Sequence, residues 1–386
     1  MFNFHNKILP IGLDIGTDSV KMIQVRQSGD KLTVTASGLC RFTDISDLES
    51  DQRCKRIGEA IRQLRKEKDF KGRAVCSAIS GSKLGIKNIR LPKMAELDLH
   101  EAVLWEAKER FGYEVAPEQL GYLLAGEVRS GNEVCEEIIM LAVTTETVNE
   151  HLAILTAAGL RPMHIEPEPV ALFRVYERML RRQSDEHAVS VILDIGRHDT
   201  HVVIARGDQI VFIKNIDVGG DALNQAVAKK FNLGYSEAVE LRRKAASPET
   251  CQNESRKDGS FIDHDSLEWS LQDAIRGELE SLAKEISLCL RYCTVTFRGL
   301  RPTRVTLCGG ETYYESVRKL LKDFLGMECT QVNPLSGMGI SDVELAGDHR
   351  RMFGEWALAG GLALRLADCV ETKKTEADHE NHRLSA

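Results

Sequence analysis

Apolar positions along the chain change period repeatedly, and each change marks an element. Ile11 to Arg26 reads IGLDIGTDSVKMIQVR. Apolar residues run into Asp14, a tight turn follows through Gly16, Thr17, Asp18 and Ser19, and Val20, Met22, Ile23 and Val25 leave as a second strand. That pattern predicts a β-hairpin. Val189 to Arg206 repeats it as VSVILDIGRHDTHVVIAR, with Asp194, Gly196 and Thr200 in the corresponding places. The same hairpin twice in one chain points to internal duplication.

Between and beyond the hairpins the pattern alternates strands with helices. Leu32 to Phe42, Arg73 to Ile79, Leu84 to Leu91, Glu137 to Val143, Gln209 to Ile216 and Arg304 to Leu307 read as strands. Cys54 to Lys66, Leu97 to Phe111, Val148 to Ala158, Ala222 to Phe231, Tyr235 to Lys244 and Val317 to Leu325 read as helices. The segment between Gly112 and Glu137 reads as a polar loop, and RPMHIEP as a stiff connector into a helix that begins at Glu168 and runs to about Gln183. Leu267, Leu271, Ile275, Leu279, Leu282, Ile286 and Leu290 predict one long helix with an apolar stripe. Ser247 to Asp265 reads as an exposed insertion loop and the tail from Glu371 as disordered.

A chain of 386 residues, 42% hydrophobic, has material for two lobes. Its net charge of -7 carries no electrostatic footprint for nucleic acid. No apolar run approaches the roughly 20 residues of a membrane-spanning helix, and Met1 to Pro10 does not read as a signal peptide. The ten cysteines are scattered without paired spacing, which predicts reduced, buried thiols. Cys289 and Cys293 share a helix face but have no second ligand pair, so a metal site there is not expected.

The candidate chemistry gathers at the turns. At the first hairpin, Gly16 lets a backbone come close, hydroxyl side chains and turn N–H groups suit an anion, and Lys21 supplies charge. Asp14, at a strand end, suits a magnesium ion held partly through water. Glu168 either favours the dipole of the helix it opens or orients a water beside phosphates. Gly219-Gly220 before a helix is either an anion site or a tight turn, and Glu240 with Arg243 is either a ribose contact or an ordinary ion pair.

The ordered set Asp14-Ile-Gly-Thr17, Glu168-Pro, Asp194-Ile-Gly196, Gly219-Gly220, Gly309-Gly310 and the terminal GLAL resembles the actin-like ATPase superfamily over nearly the whole chain. The block LPKMAELDLHEAVLWEAKERF, AAGLRP followed by EPVAL, and VGGDALNQAVAK with EAVELRRK are similar to the PilM family of type IV pilus assembly, a relative of the cell-division protein FtsA. The resemblance implies an α/β, two-lobed actin-like fold, ribonuclease H-like and duplicated, with a small α+β subdomain inserted at 71–150. The first lobe would take 1–70 and the connector 151–187, the second lobe 188–350, and a closing helix 351–370, ahead of a disordered tail 371–386.

It further implies Mg2+ and ATP as ligands, with Asp14 and Asp194 as metal carboxylates and Asp14, Glu168 and Asp194 as the catalytic set. Gly16, Thr17, Asp18, Ser19 and Lys21 would serve the first phosphate hairpin, and Gly196 and Thr200 the second. Gly219, Gly220, Glu240, Arg243, Gly309, Gly310 and Glu311 would complete the nucleotide site. Arg197 and His198 stand where the family has small residues, so they would cap the phosphates or crowd them, favouring binding over turnover. The implied partner is the N-terminal peptide of a PilN-like inner-membrane protein, together with other pilus assembly proteins and possible self-association. The implied location is the cytoplasm, at the inner face of that membrane. An FtsA-like filament would need an amphipathic C-terminal helix, which ETKKTEADHENHRLSA lacks. A sugar-kinase-type phosphotransferase would need an acceptor-binding aspartate, and a type II secretion relative would continue into a membrane span.

Overall fold

The computed structural model describes residues 6–42, 48–131, 133–179, 188–246, 264–297, 304–340 and 352–367, with 302, 343 and 345. The expected insertion loop up to residue 263, the tail, and the expected helix beyond 179 lie outside them, while 264 and 265, expected in that loop, begin a helix. In chain order the elements are β1 (Asn6–Ile8), β2 (Ile11–Ile15), β3 (Ser19–Ser28), β4 (Lys31–Arg41), α1 (Ser50–Glu67), β5 (Ala74–Ile79), β6 (Gly85–Pro92), α2 (Glu96–Arg110), β7 (Leu120–Ser130) and β8 (Glu133–Ala142). Then follow α3 (Thr145–Ala157), β9 (Arg161–Pro167), α4 (Glu168–Glu177), β10 (Val189–Ile195), β11 (Thr200–Arg206), β12 (Gln209–Ile216), α5 (Gly220–Phe231) and α6 (Tyr235–Ala245). The chain continues through α7 (His264–Thr296), β13 (Arg304–Cys308), α8 (Glu315–Leu325), β14 (Glu328–Gln331), β15 (Met338–Gly339) and α9 (Ala357–Ala363).

Contacts divide the chain into two compact units, one of residues 1–187, 206–213 and 333–386, the other of 188–205 and 214–332. The first carries a sheet in the order β15-β4-β3-β2-β5-β9, with β1 pairing β3. Strands β2 to β4 form an antiparallel meander, and β5 and β9 add in parallel. Against it α1 buries Ile57, Ile61 and Leu64 in one cluster with Leu13, Met22, Val75 and Leu155. The closing helix α9 is buried throughout. It lies so close on β2 that a Cβ on Gly12 would stand 2.1 Å from the Ala359 carbonyl oxygen.

Within the same unit a separate sheet, β6-β8-β7, is covered by α2 through Leu99, Val103 and Ala107. The expected polar loop is largely β7. Leu120, Tyr122 and Leu124 alternate onto α2, but a bulge at Gly126 interrupts the period, so the sequence signal stops halfway. The expected connector is likewise a strand, β9. Its prolines are tolerated because β9 stands at the end of the sheet, where one side needs no ladder partner.

The second unit carries β10, β13, β14 and nearly all of β11 from a sheet in the order β12-β11-β10-β13-β14, with β10, β13 and β14 parallel. Leu271, Ile275, Leu279, Leu282 and Ile286 bury the expected stripe of α7. Cys289 and Cys293 extend that stripe into the core, and burial pushes the Cys289 thiol up to about 11. These are packing thiols, and none of the eight described cysteines forms a disulfide.

Candidate functional site

Each unit presents one of the two hairpins, and both close by the same bond. In the first, the Gly16 N–H donates to the Ser19 carbonyl at 2.9 Å, and in the second the Gly196 N–H donates to the Asp199 carbonyl at 2.9 Å. A Cβ would stand 3.2 Å from the turn carbonyl at Gly16 and 3.1 Å at Gly196. The duplication read from the motif is therefore carried by the backbone as well.

In the first hairpin Asp14 ends β2 opposite Lys21 of β3. The Lys21 ammonium donates to Asp14 Oδ2 at 3.0 Å and to Ser19 Oγ at 3.3 Å, and Ser19 Oγ donates to Asp18 at 3.1 Å. Burial alone would depress the Lys21 pKa, but the charges of Asp14, Glu355 and Asp18 outweigh it and raise the pKa above the ordinary lysine value. Glu355 was not legible as part of this hairpin. It lies 314 residues from Arg41 in sequence, yet accepts a 2.8 Å ion pair from it, and Arg41 stands opposite Ser19 in the β3–β4 register. Thr17 lies in the turn between the strands, half-buried. Glu168 opens α4, buried, and accepts the Gly81 N–H at 3.0 Å. Its carboxylate thus serves the turn after β5 besides standing in the first turn of its own helix.

In the second unit Asp194 ends β10, and the turn after β13 passes directly over it. Gly309 has φ of 88°, and a Cβ there would stand 2.4 Å from the Ile195 carbonyl and 2.5 Å from Asp194 Oδ1. Only glycine satisfies both conditions. Thr200 Oγ1 donates to the Val218 carbonyl at 2.6 Å, binding the hairpin to the loop ahead of α5. The diglycine grips the hairpin tip: the Gly220 N–H donates to the Gly196 carbonyl at 3.0 Å and the Asp221 N–H to the Arg197 carbonyl at 2.7 Å. The Gly220 and Asp221 N–H groups are thus taken up inside the protein.

Arg197 and His198 do not stand loose at the tip. Arg197 Nε donates to Asp221 Oδ1 at 3.0 Å, and the His198 ring lies against the other oxygen of the same carboxylate. His201, which the motif did not single out, is buried with ring nitrogens 3.9 Å from Asp194 and 3.6 Å from Asp199. On α6, Glu240 and Arg243 are both exposed, and Glu240 pairs with Lys244 at 3.6 Å. The buried charged residue of that helix is their neighbour Arg242, which donates to Glu311 and to Asn224, each at 2.6 Å. Gly310, beside Glu311, has open space where a Cβ would be.

Each hairpin carries a carboxylate of the kind a hard cation takes, and in the first a glycine turn beside a buried ammonium suits phosphate. Two α/β units, each carrying an Asp-Ile-Gly hairpin closed by the same turn bond, define an actin-like protein. The model of the type IV pilus assembly protein PilM family matches residues 12–256, more than half of the chain, and the chain belongs to that family. The structure is similar to that of the PilM-PilN type IV pilus biogenesis complex, with a TM-score of 0.73 and 26% identity over 92% of this chain and 98% of that one. It also matches the ethanolamine utilization protein EutJ from Carboxydothermus hydrogenoformans (TM-score 0.49, 13% identity, 93% and 89% of the two chains). A further match is MreB5 of Spiroplasma citri bound to ADP (0.41, 12%, 91% and 94%). Among the described residues no helix is long and apolar enough to cross a membrane.

Proposed function

We propose that this protein is a nucleotide-binding scaffold of type IV pilus assembly that takes the N-terminal peptide of a PilN-like inner-membrane protein. The observation that carries the reading is the likeness to the PilM-PilN complex, which extends over nearly the full length of both chains. In this reading ATP is held through the Asp14 and Asp194 hairpins, with Mg2+ supplying Lewis-acid charge to the phosphates. Lys21 and the Gly16 to Ser19 turn take phosphate oxygens, and Gly196 lets the second turn approach them. Glu240 and Arg243, both exposed, border the ribose, and Gly309 and Gly310 offer backbone to the base. The block 71–150 acts as the inserted subdomain that helps form the peptide groove, and the partner recruits the protein to the inner face of the membrane.

Titration of a labelled PilN-like N-terminal peptide, with and without Mg-ATP, tests the reading. Saturable peptide binding is expected, along with Mg-ATP binding that Asp14→Ala abolishes. Absence of peptide binding under both conditions would overturn the partner, and unchanged nucleotide affinity in the variant would overturn the site.

A further inference from the structure

The second unit contains a continuous chain of side-chain hydrogen bonds that begins at the tip of its hairpin and ends at the turn after β13. Asp221 accepts Arg197 at 3.0 Å and also accepts the Tyr235 hydroxyl. Asn224 Nδ2 donates to that hydroxyl at 3.3 Å, and its Oδ1 accepts Arg242 Nη1 at 2.6 Å. Arg242 Nη2 then donates to Glu311 Oε2 at 2.6 Å, while the guanidinium stacks 4.3 Å from the centroid of the Tyr314 ring. Arg242 is 4% exposed, so water competes little for its donors.

Glu311 is fixed from its other side too. A Cβ on Gly220 would stand 2.2 Å from Glu311 Oε1, so this carboxylate lies on the bare backbone where α5 begins. We propose that Arg242 is a positioning residue for the nucleoside end of the nucleotide site: it withdraws Glu311 from ligand contact and locks the Gly309–Glu311 turn to α5 and α6. The inference rests on the nucleotide reading of the Asp194 hairpin. Its physical basis is the planar guanidinium fork, which satisfies two acceptors and an aromatic face at once, whereas a lysine ammonium provides a point charge. A turn held in this way needs no reordering when a base and ribose settle on Gly309 and Gly310, and that preorganisation appears as affinity. The hairpin turns that would take the triphosphate are closed by backbone bonds of their own, Gly16 to Ser19 and Gly196 to Asp199, and keep their shape without Arg242.

The two ends separate in an experiment. Wild type, Arg242→Lys and Glu311→Gln are titrated calorimetrically with Mg-ATP and with Mg-tripolyphosphate, and folding is followed by circular dichroism. In both variants ATP is expected to weaken by about tenfold, the scale of one charge-assisted hydrogen bond, with tripolyphosphate unchanged. A parallel loss for both ligands marks a merely structural role and overturns the proposal, as does unaltered ATP affinity. Failure of wild type to bind ATP at all would overturn the nucleotide reading, and this inference with it. Should Arg242→Lys fail to fold, Glu311→Gln reads the same comparison with the guanidinium intact.

Discussion

Lys21 donates to Asp14 at 3.0 Å, and their side chains are only 11% and 9% exposed. One buried cation therefore neutralises the carboxylate proposed to serve at the first hairpin. Removing one partner of such a pair leaves an uncompensated buried charge, a loss of about 3–5 kcal/mol. Lys21→Met is expected to destabilise on that scale in urea unfolding. A loss below about 1 kcal/mol would show that water reaches Asp14.

The raised Lys21 pKa fixes the direction of a pH effect. A cation stabilised by folding contributes fully below its ordinary pKa of 10.5 and loses that contribution as pH rises through the higher native value. Wild type should therefore lose stability relative to Lys21→Met when taken from about pH 10 to about pH 12. Melting curves of the two proteins that stay parallel across that range would remove the pair from the account.

His151 predicts the opposite limb. Burial, helped by the charge of Lys83, lowers its pKa to about 4, and its Nε2 lies 2.8 Å from Ser77 Oγ. Between the ordinary value near 6.5 and about 4 the unfolded chain takes up a proton that the native protein refuses, so stability falls as pH falls. The full effect is about 3 kcal/mol at the acid end. His151→Asn should flatten the acid limb of the melting-temperature profile, and an equally steep limb in the variant would refute the assignment.

Adjacent glycines should respond differently to the same substitution. Gly309→Ala meets a φ of 88° and carbonyl oxygen at 2.4 Å, whereas Gly310→Ala meets open space. The first is expected to cost about 2 kcal/mol or more and the second less than about 1 kcal/mol. Equal melting temperatures for the two variants would mean that the turn relaxes away from Asp194.

A bidentate pair anchors the closing helix of the first unit. Arg174 donates to both Glu166 oxygens at 2.6 Å and to the Gly361 carbonyl at 3.0 Å. Arg174→Lys retains the charge but loses the fork, and should cost about 2 kcal/mol. Restoration of wild-type urea stability by lysine would show that charge alone suffices.

Both hairpins were legible because their alternation, the Asp-Ile-Gly turn and its recurrence are local properties that survive without neighbours. Strand β7 reads as a polar loop, because its alternation holds only as far as Leu124, where the register shift before Gly126 changes the facing of the later side chains. Prolines hid β9 because whether a proline is tolerated depends on whether its strand has one neighbour or two. On α6 the sequence singled out Glu240 and Arg243 as the charged pair on one face. Packing buried Arg242 instead, because only that position reaches both Asn224 and Glu311.

From sequence alone came the duplicated hairpins, the long stripe of α7, the glycines at the turns and the family resemblance, all of which depend on short-range spacing. Tertiary structure decided which charges meet: Arg41 with Glu355, Arg242 with Glu311, and Arg197 and His198 with Asp221. An ion pair between residues up to 314 positions apart leaves no period in the chain. It exists only once the fold has brought the two residues together, here around a carboxylate that is 2% exposed.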